Sequence, residues 1–330
     1  MELSGFSLDL SGLEKLERPD PNTIYDMLVL GGGPAAMTAT VYAARKMMKV
    51  AMITKDFGGQ MSDTSEIENY MGFQTITGSE LTAKFKEQVT QFSVPVATDE
   101  TVTEVRKEGD LFKVDTAGGA TYAAHTVVAA TGKRYRPLDV PGEKQFVGRG
   151  VAYCATCDAP FFKDKQVVVA GGGNSAFTAA LDLLKVAERV TLINFAPGWQ
   201  ADEVLQSSVR KYGDKITLLD EHQITAIAGG ERVEQVSVKN RKTDEENEIA
   251  ADGIFVEIGL IPNSEPMHQL VKMTRWHEVI VDCHARTNVP GLFGAGDVTT
   301  VPYKQIVISA GEGAKAALSA YEYLTQKGLL

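Results

Sequence analysis

The most restrictive feature of this chain is a turn that occurs twice. Met27-Leu28-Val29-Leu30 is a short, continuously apolar run. It passes at once into Gly31-Gly32-Gly33-Pro34-Ala35-Ala36, a helical stretch to about Lys46, and a strand-like run from Lys49 to Thr54. A domain's length further on, Gln166–Ala170 leads into Gly171-Gly172-Gly173-Asn174-Ser175-Ala176, a helix through Leu184 and a strand from Arg189 to Asn194. Short runs that are apolar at every position suit strands covered on both faces of a parallel sheet. In a G-x-G-x-x-G/A turn, the first glycine makes the tight bend and the second lets backbone approach a pyrophosphate. The third small residue packs the helix against the strand, so that the helix N-terminus faces the anion. Those positions are Gly31, Gly33 and Ala36 in the first copy and Gly171, Gly173 and Ala176 in the second. One copy is weak evidence, because tight packing alone also calls for glycine. Two copies, each between a strand and a helix, predict two dinucleotide-binding domains of similar topology. The spacing is far too long for a solenoid repeat.

The expected fold class is therefore α/β, with two Rossmann-like domains. Regions 100–130 and 215–260 hold short alternating strands with Gly and Asp turns, such as Val233–Val238 and Gly253–Ile258. These are expected to form smaller antiparallel sheets attached to each parallel one, a three-layer ββα arrangement. The Ala-rich stretch from Gly311 predicts a C-terminal helix. Residues 1–24 read as an extension, with Leu8, Leu10, Leu13 and Leu16 on one helical face.

The usual fingerprint adds an acid roughly 20 residues after the first glycine, to bond the ribose hydroxyls. Thr54 and Asn194 stand at the ends of the two strands instead. Neutral Asn194 can bond a hydroxyl, though less strongly than a carboxylate. Phe195-Ala196-Pro197-Gly198-Trp199 follows it without an arginine, which argues against a 2′-phosphate and so against NADPH.

Cys154-Ala155-Thr156-Cys157 has redox-pair spacing, since two such thiols can close a small disulfide ring and one can attack as a thiolate. A zinc half-site and a pair of spectator thiols are the alternatives. Structural zinc wants four ligands, and Cys283 with five scattered histidines offers no matching pair, so no metal site is expected. Asp158 follows directly. Its carboxyl is read either as a proton donor to a leaving thiolate or as a plain turn or helix cap. Cys283, at the end of Val279-Ile280-Val281, is assigned no role.

Composition narrows the partners. With 33 Lys plus Arg against 43 Asp plus Glu, the formal charge is −10, a poor match for nucleic acid or an anionic membrane. No apolar run reaches the roughly 18–20 residues that span a bilayer. The N-terminus lacks the basic and apolar regions of a secretion signal. With three cysteines, a reducing, cytoplasmic location is expected.

The order and spacing of several blocks resemble the low-molecular-weight thioredoxin reductases over roughly residues 24–326. The blocks are Gly31–Ala36, Gly58-Gly59-Gln60, Ile67-Glu68-Asn69-Tyr70, Ala130-Thr131-Gly132, Cys154–Asp158, Gly171–Ala176 and Gly294-Ala295-Gly296-Asp297. Asn194–Pro197, Gly253–Val256, Thr299–Gln305 and Gly311–Lys315 make the chain most similar, within that family, to the C-terminal reductase portion of alkyl hydroperoxide reductase flavoproteins. The thioredoxin-like domains that precede that portion would be absent, leaving a separate small disulfide protein as partner.

The resemblance implies a role for each block. FAD would lie on Gly31, Gly33, Pro34, Ala35 and Ala36. Gly59 and Gln60 would run along the flavin, with Asn69, Thr131 and Gly132 near it. Asp297 would bond the ribityl and phosphate region. Gln305 would stand at the pyrimidine edge, with the helix starting near it pointing its N-terminus at the flavin carbonyl, and Lys304 and Ile306 would also bind the cofactor. Gly171, Gly173, Asn174, Ser175, Ala176 and Asn194 would receive the nicotinamide nucleotide. Cys157 would face the flavin, Cys154 would attack the partner, and Asp158 would be the acid. A discontinuous FAD domain (25–137 and 265–330) would enclose a CxxC domain (138–264). The two would rotate against each other in a homodimer.

The family's NADPH users carry a His-Arg-Arg-type run where this chain has Asn194-Phe195-Ala196-Pro197, and its NADH users a Glu at Asn194. Thr178 stands where the helix after the second glycine turn often has Glu. NADH is therefore the favoured donor. Reduced ferredoxin, which serves some members that have lost pyridine nucleotide use, is the alternative. The expected partner is thioredoxin or a thioredoxin-like protein, with a glutaredoxin-like or peroxidase-linked carrier as the other option. A flavin-binding interaction protein without turnover is disfavoured by the intact Cys154, Cys157 and Asp158 set.

Overall fold

The computed structural model describes residues 16–64 and 67–330. Leu8, Leu10 and Leu13 of the expected helical face lie outside them. Contacts divide the chain into two compact units. The first comprises the described residues up to Gly59 with Thr82–Gly132 and Pro262–Leu330. The second comprises Gln60–Leu81 and Lys133–Ile261. Both are Rossmann-like.

In the first unit the strand Ile24–Leu30 runs parallel to Val50–Ile53 on one side and Thr121–Ala129 on the other. Val96–Ala97 extends the sheet beyond Val50–Ile53. Thr121–Ala129 is long enough to do two jobs. Its first half pairs antiparallel with Leu111–Thr116, which pairs in turn with Val102–Glu108. Its last three residues pair parallel with Leu292–Gly294. Met27, Leu28, Val29 and Leu30 are all fully buried, because each face of the sheet is covered. Met27, Val29, Met52 and Val128 pack with Ala35, Ala36, Ala39, Ala43, Ala316, Ala317 and Ala320. Leu28, Leu30, Ile53 and Val127 pack with Val105, Phe112 and Val114 on the other face. The small side chains let the helices Pro34–Arg45 and Ile306–Gln326 come together.

The second unit repeats the plan. Its parallel sheet runs in the order Ile216–Leu219, Arg189–Ile193, Gln166–Ala170, Gly253–Val256, Val151–Ala152. The helix Asn174–Leu183 covers one face through Phe177, Ala180 and Leu183. The antiparallel sheet of His222–Ala228, Gln235–Asn240 and Glu246–Ala250 supplies Ile224, Ile227, Val236 and Val238 to the other.

Two expectations need correcting. Gly253–Val256 belongs to the parallel sheet beside Gln166–Ala170, not to an antiparallel one, and all four of its residues are buried. A strand with both faces covered loses the alternation that would mark it as half-exposed. The C-terminal helix begins at Ile306, ahead of its Ala-rich part at Gly311.

Gly313 shows how close the two helices of the first unit lie, since a Cβ there would strike the carbonyl oxygen of Ala35. Replacing glycine by alanine inside a helix normally gains about 1 kcal/mol. Here the obstacle is backbone, and overpacking costs about 1–3 kcal/mol. Gly313→Ala is therefore expected to destabilise the protein, read as a lower urea midpoint at unchanged m-value. A raised midpoint would contradict the packing described.

Candidate functional site

Gly31 has φ +116, and any Cβ on it would enter the Ala130 carbonyl. Its N–H donates to the Ile53 carbonyl at 2.8 Å, so three strand ends meet at this one residue. Gly33 is different, because the nearest atom to a Cβ there is the Gly58 carbonyl at 3.9 Å. Gly59, φ +53, faces the Gly33 Cα at the same distance, and Gly58 N–H donates to Gly32 at 2.8 Å. The result is a cradle floored by glycine. The helix Pro34–Arg45 opens on it with proline in its first turn, no acidic residue there and no side-chain cap. Its first amides are thus presented to an anion. Thr54, at the acid's position, is buried; its hydroxyl donates to the Asp56 carbonyl and abuts Gly32.

The other expected residues of this unit gather on loops at strand ends. Thr131 Oγ1 donates to Asn263 O at 2.7 Å, Asn263 Nδ2 returns a bond to Thr131 O at 2.9 Å, and Asn263 N–H donates to Gly132 O at 3.0 Å. Asp297 Oδ1 accepts from Ser309 Oγ at 3.1 Å, on the helix that Ile306 opens and Gln305 precedes without a side-chain cap. Lys304 Nζ donates to Thr299 O at 2.7 Å and also to Val301 O. Gln60 and Asn69 belong to the second unit. Gln60 Nε2 donates to Lys133 O, and Asn69 is exposed between the bridged residues Ile67 and Ile76.

The second turn copies the first. Gly171 has φ +140, its N–H donates to Ile193 O at 2.8 Å, and a Cβ would enter the Glu257 carbonyl. Nothing lies within 4 Å of a Cβ on Gly173. The helix Asn174–Leu183 is again uncapped, with Ser175 exposed and Ala176 buried. Two side chains here are occupied within the protein. Asn174 Nδ2 donates to Asp202 at 2.9 Å and its Oδ1 accepts from Asp202 N–H at 2.8 Å. Asn194 is buried, and its Nδ2 donates to Ala196 O at 2.7 Å, Gly198 O at 2.9 Å and Asp220 Oδ1 at 2.9 Å. Its Oδ1 lies against Gly172. Thr178 is exposed on the same helix.

Cys154 and Cys157 are joined as a disulfide, with Cα atoms 5.3 Å apart. Cys154 precedes the one-turn helix Ala155–Asp158, and its carbonyl accepts from the N–H groups of Cys157 at 3.2 Å and Asp158 at 3.0 Å. Asp158 caps nothing with its side chain. It is half-buried, and burial pushes its carboxyl up to about 6. A carboxyl in that range holds a proton for part of the time near neutrality, as a proton donor must. Cys283 is exposed and unpaired with another cysteine.

The profile of the pyridine nucleotide-disulphide oxidoreductases matches residues 25–314. The chain belongs to that family. It is 44% identical over 316 residues to an alkyl hydroperoxide reductase subunit of Pseudomonas putida, covering 95% of this chain and 61% of that one. It is 41% identical over 314 residues to an NADH dehydrogenase of Bacillus subtilis, again 95% against 61%. The chain thus spans about three-fifths of the length of these curated relatives. Among solved structures, thioredoxin reductase from Streptococcus pyogenes superimposes with a TM-score of 0.86 at 38% identity, covering 92% of this chain and 99% of that one. Membership in that family, with the likeness to a thioredoxin reductase, implies FAD and a nicotinamide cofactor. The first turn fits a dinucleotide, because the space a Cβ would fill at Gly33 is open and the amides behind it carry no cap.

Four neighbours of these motifs carried no sequence signal. Asp220 braces the turn after Asn194, with Oδ2 accepting from Gly198 N–H at 2.9 Å. Arg241 stacks 3.9 Å over the exposed ring of Phe195 and donates to its carbonyl at 2.8 Å, a cation the segment 195–199 itself lacks. Buried Glu143 accepts from Leu138 N–H, Asp139 N–H and the Tyr153 hydroxyl, all within 2.9 Å. Tyr153 in turn stacks on Tyr135 at 4.6 Å, immediately before Cys154. Glu257 is the fourth.

The raised Asp158 carboxyl has a stability consequence. A group whose folded pKa exceeds its unfolded value of 3.8 loses stabilisation as pH rises through about 6. Asp158→Asn is therefore expected to stabilise the oxidised protein at pH 8 by on the order of 1–2 kcal/mol and to change little at pH 4. Equal effects at both pH values in chemical denaturation would refute the burial described.

Proposed function

We propose that this protein is a thioredoxin-disulfide reductase type flavoenzyme that passes electrons from NADH, through FAD, to Cys154–Cys157 and on to the disulfide of a separate thioredoxin-like protein. The observation that carries this reading is the Cys154–Cys157 disulfide at the start of a one-turn helix, with the protonatable Asp158 at its end. The FAD-binding domain, which holds Gly31 and Gly33, is read over 25–137 and 265–330, and the CxxC domain, which holds Gly171 and Gly173, over 138–264; these bounds differ from the two compact units chiefly in residues 60–81. A homodimer in the cytoplasm belongs to the same reading.

FAD, when bound, supplies the means of taking an electron pair from the donor and handing it to a disulfide. The chain's own residues do the rest. Two electrons and two protons open Cys154–Cys157 to two thiols. Cys154, as thiolate, attacks one sulfur of the partner's disulfide, forming a mixed disulfide and expelling the other sulfur, which Asp158 protonates. Cys157 then attacks Cys154, restoring the internal disulfide and expelling the partner's second sulfur, which takes from solvent the proton that Cys154 gave up, so that the partner leaves as a dithiol. Asp158 recovers its proton from Cys157 or from water. The NADH dehydrogenase name of one relative and the alkyl hydroperoxide reductase name of another support NADH as donor and a peroxidase-linked, thioredoxin-like carrier as partner.

One observation favours a second reading of the donor. Both hydrogens of the Asn194 amide serve Ala196, Gly198 and Asp220, which leaves little for a ribose hydroxyl. A reductase whose donor is reduced ferredoxin would not need that residue to reach a nucleotide. Anaerobic titration with NADH, NADPH and reduced ferredoxin, followed at the flavin bands, decides between them. Bleaching by NADH at stoichiometric amounts is expected, and bleaching by ferredoxin alone would overturn the NADH assignment.

Two further outcomes follow. Cys157→Ser is expected to abolish reduction of a thioredoxin-type substrate while the flavin is still bleached by its donor; retained turnover would sink the relay. Asn194→Glu alone would set a carboxylate against Asp220 and remove three hydrogen bonds, so it is expected to lower stability. Combined with Asp220→Asn it should raise kcat/KM for NADH by about tenfold, the value of one charged hydrogen bond. No gain in the double variant would indicate that this position does not read a ribose.

A further inference from the structure

A single residue, Tyr153, connects the strand Val151–Ala152 to Cys154. The strand is pinned, since Val151 and Ala152 pair with Ile254 and Phe255. Beyond Cys154 the chain is pinned again, because the Cys154 carbonyl accepts from the N–H groups of Cys157 at 3.2 Å and Asp158 at 3.0 Å. Tyr153 therefore governs how much freedom the Cys154 backbone has when the disulfide is open. Both parts of its side chain are held. The hydroxyl donates to Glu143 Oε1 at 2.9 Å, and the ring stacks on Tyr135 with centroids 4.6 Å apart. Glu143 is 1% exposed and also accepts from Leu138 N–H at 2.9 Å and Asp139 N–H at 2.8 Å. The segment carrying it is anchored from behind. Pro141 O accepts from Ile227 N–H at 2.9 Å, and a Cβ on Gly142 would enter the Ile227 carbonyl. A buried carboxyl with its donors in place is a stiff acceptor, so the Tyr153 hydroxyl is tied to a fixed point of its own unit.

We propose that Tyr153 is a positioning residue for the redox pair: bonded to Glu143 and stacked on Tyr135, it keeps Cys154 in place when the disulfide opens, favours closure of the ring, and so makes the pair a stronger reductant. The inference rests on the disulfide-reductase reading above, which gives that reducing power its use. A thiol already held near its partner loses less freedom when the ring forms. Seen from the other side, the Tyr153–Glu143 bond is worth more in the closed state, where the ring has already ordered the chain, than in the open one. The bond and the ring thus support each other, and loss of the hydroxyl weakens the closed form more than the open form.

The test is the equilibrium of the pair with dithiothreitol in the full-length, flavin-loaded protein without oxygen. In this exchange the protein disulfide and dithiothreitol give two protein thiols and the cyclic disulfide, so two electrons and two protons pass from one pair to the other. Each cysteine is followed by alkylation and peptide mass spectrometry, because Cys283 is exposed. Tyr153→Phe keeps the ring and removes the hydroxyl. It is expected to shift the equilibrium constant about fivefold toward the open pair, the value of about one hydrogen bond. Urea midpoints of the oxidised and reduced forms distinguish this from a plain stabilising contact, which would lower both midpoints equally and leave the constant unchanged. A constant within twofold of the wild type overturns the proposal. Should Tyr153→Phe fail to fold, Tyr135→Leu decides by the same criterion, since it removes the stack and keeps the hydroxyl bond. The exchange needs neither an electron donor nor a partner protein. Failure of the broader reading would appear instead as absence of donor-driven substrate reduction.

Discussion

At Gly31 and again at Gly171, backbone from one strand end occupies the space where a side chain would begin, and the amide bonds to a second strand end. That close approach is the constraint on which both units depend. It aims the following helix at the ends of the sheet strands and leaves the helix's first amides without partners. The loops at those ends carry what remains of the chemistry. In the first unit they hold Gly58-Gly59, Thr131-Gly132 and Gly296-Asp297; in the second, Asn194 to Asp202, Asp220 and Glu257. A Cβ at either first glycine would strike the carbonyl of the adjoining strand end and force these loops apart.

The redox pair sits in an environment that holds protons rather than charges. The helix bearing it has a single turn, too short to stabilise a thiolate through its own backbone to the extent a long helix would. The carboxyl of Asp158, at the end of that turn, gains influence accordingly. Asp158 and Glu257 are both raised by burial, to about 6 and about 7, so near neutrality each is divided between its two states. Glu143 serves a different end. Its three hydrogen bonds fasten Leu138, Asp139 and Tyr153, which fixes the chain entering Cys154. Burial, together with the bond to Glu143, also raises the Tyr153 hydroxyl, so it stays neutral beside the thiols.

What could be read from the sequence was local. The glycine turns and the Cys154–Cys157 spacing are each written in a few consecutive residues, and the structure has a strand, turn or helix at each; the C-terminal helix was legible from its Ala-rich part, while its start at Ile306 was marked only by the family resemblance. Gly253–Val256 was misplaced because four buried residues in a row carry no period. Asp220, Arg241 and Glu257 were invisible for another reason. Asp220 and Glu257 each lie just beyond the end of a strand whose partners in the parallel sheet are distant in sequence, so only the sheet order brings Asp220 to Asn194 and the Glu257 carbonyl to Gly171; Arg241, at the end of an antiparallel strand, reaches Phe195 from a separate sheet. Asn194 itself was legible as a position, but its three hydrogen bonds were not.

Those bonds change how the missing acid should be understood. A carboxylate at 194 could accept from a ribose but could not donate to Ala196 and Gly198, and it would face Asp220 across 2.9 Å of hydrogen-bond distance. An amide there and a carboxylate at 220 therefore form one solution, with the charge moved from the second strand's end to the third's. Asp220 spends that charge on Asn194 and on Gly198 N–H, drawing the turn 194–198 closed. Arg241 adds a cation over Phe195 at the outer edge of the same turn. The turn after the second strand is consequently held by residues from three strand ends acting together, and exchanging Asn194 alone tests the stability of that turn before it tests the recognition of any nucleotide.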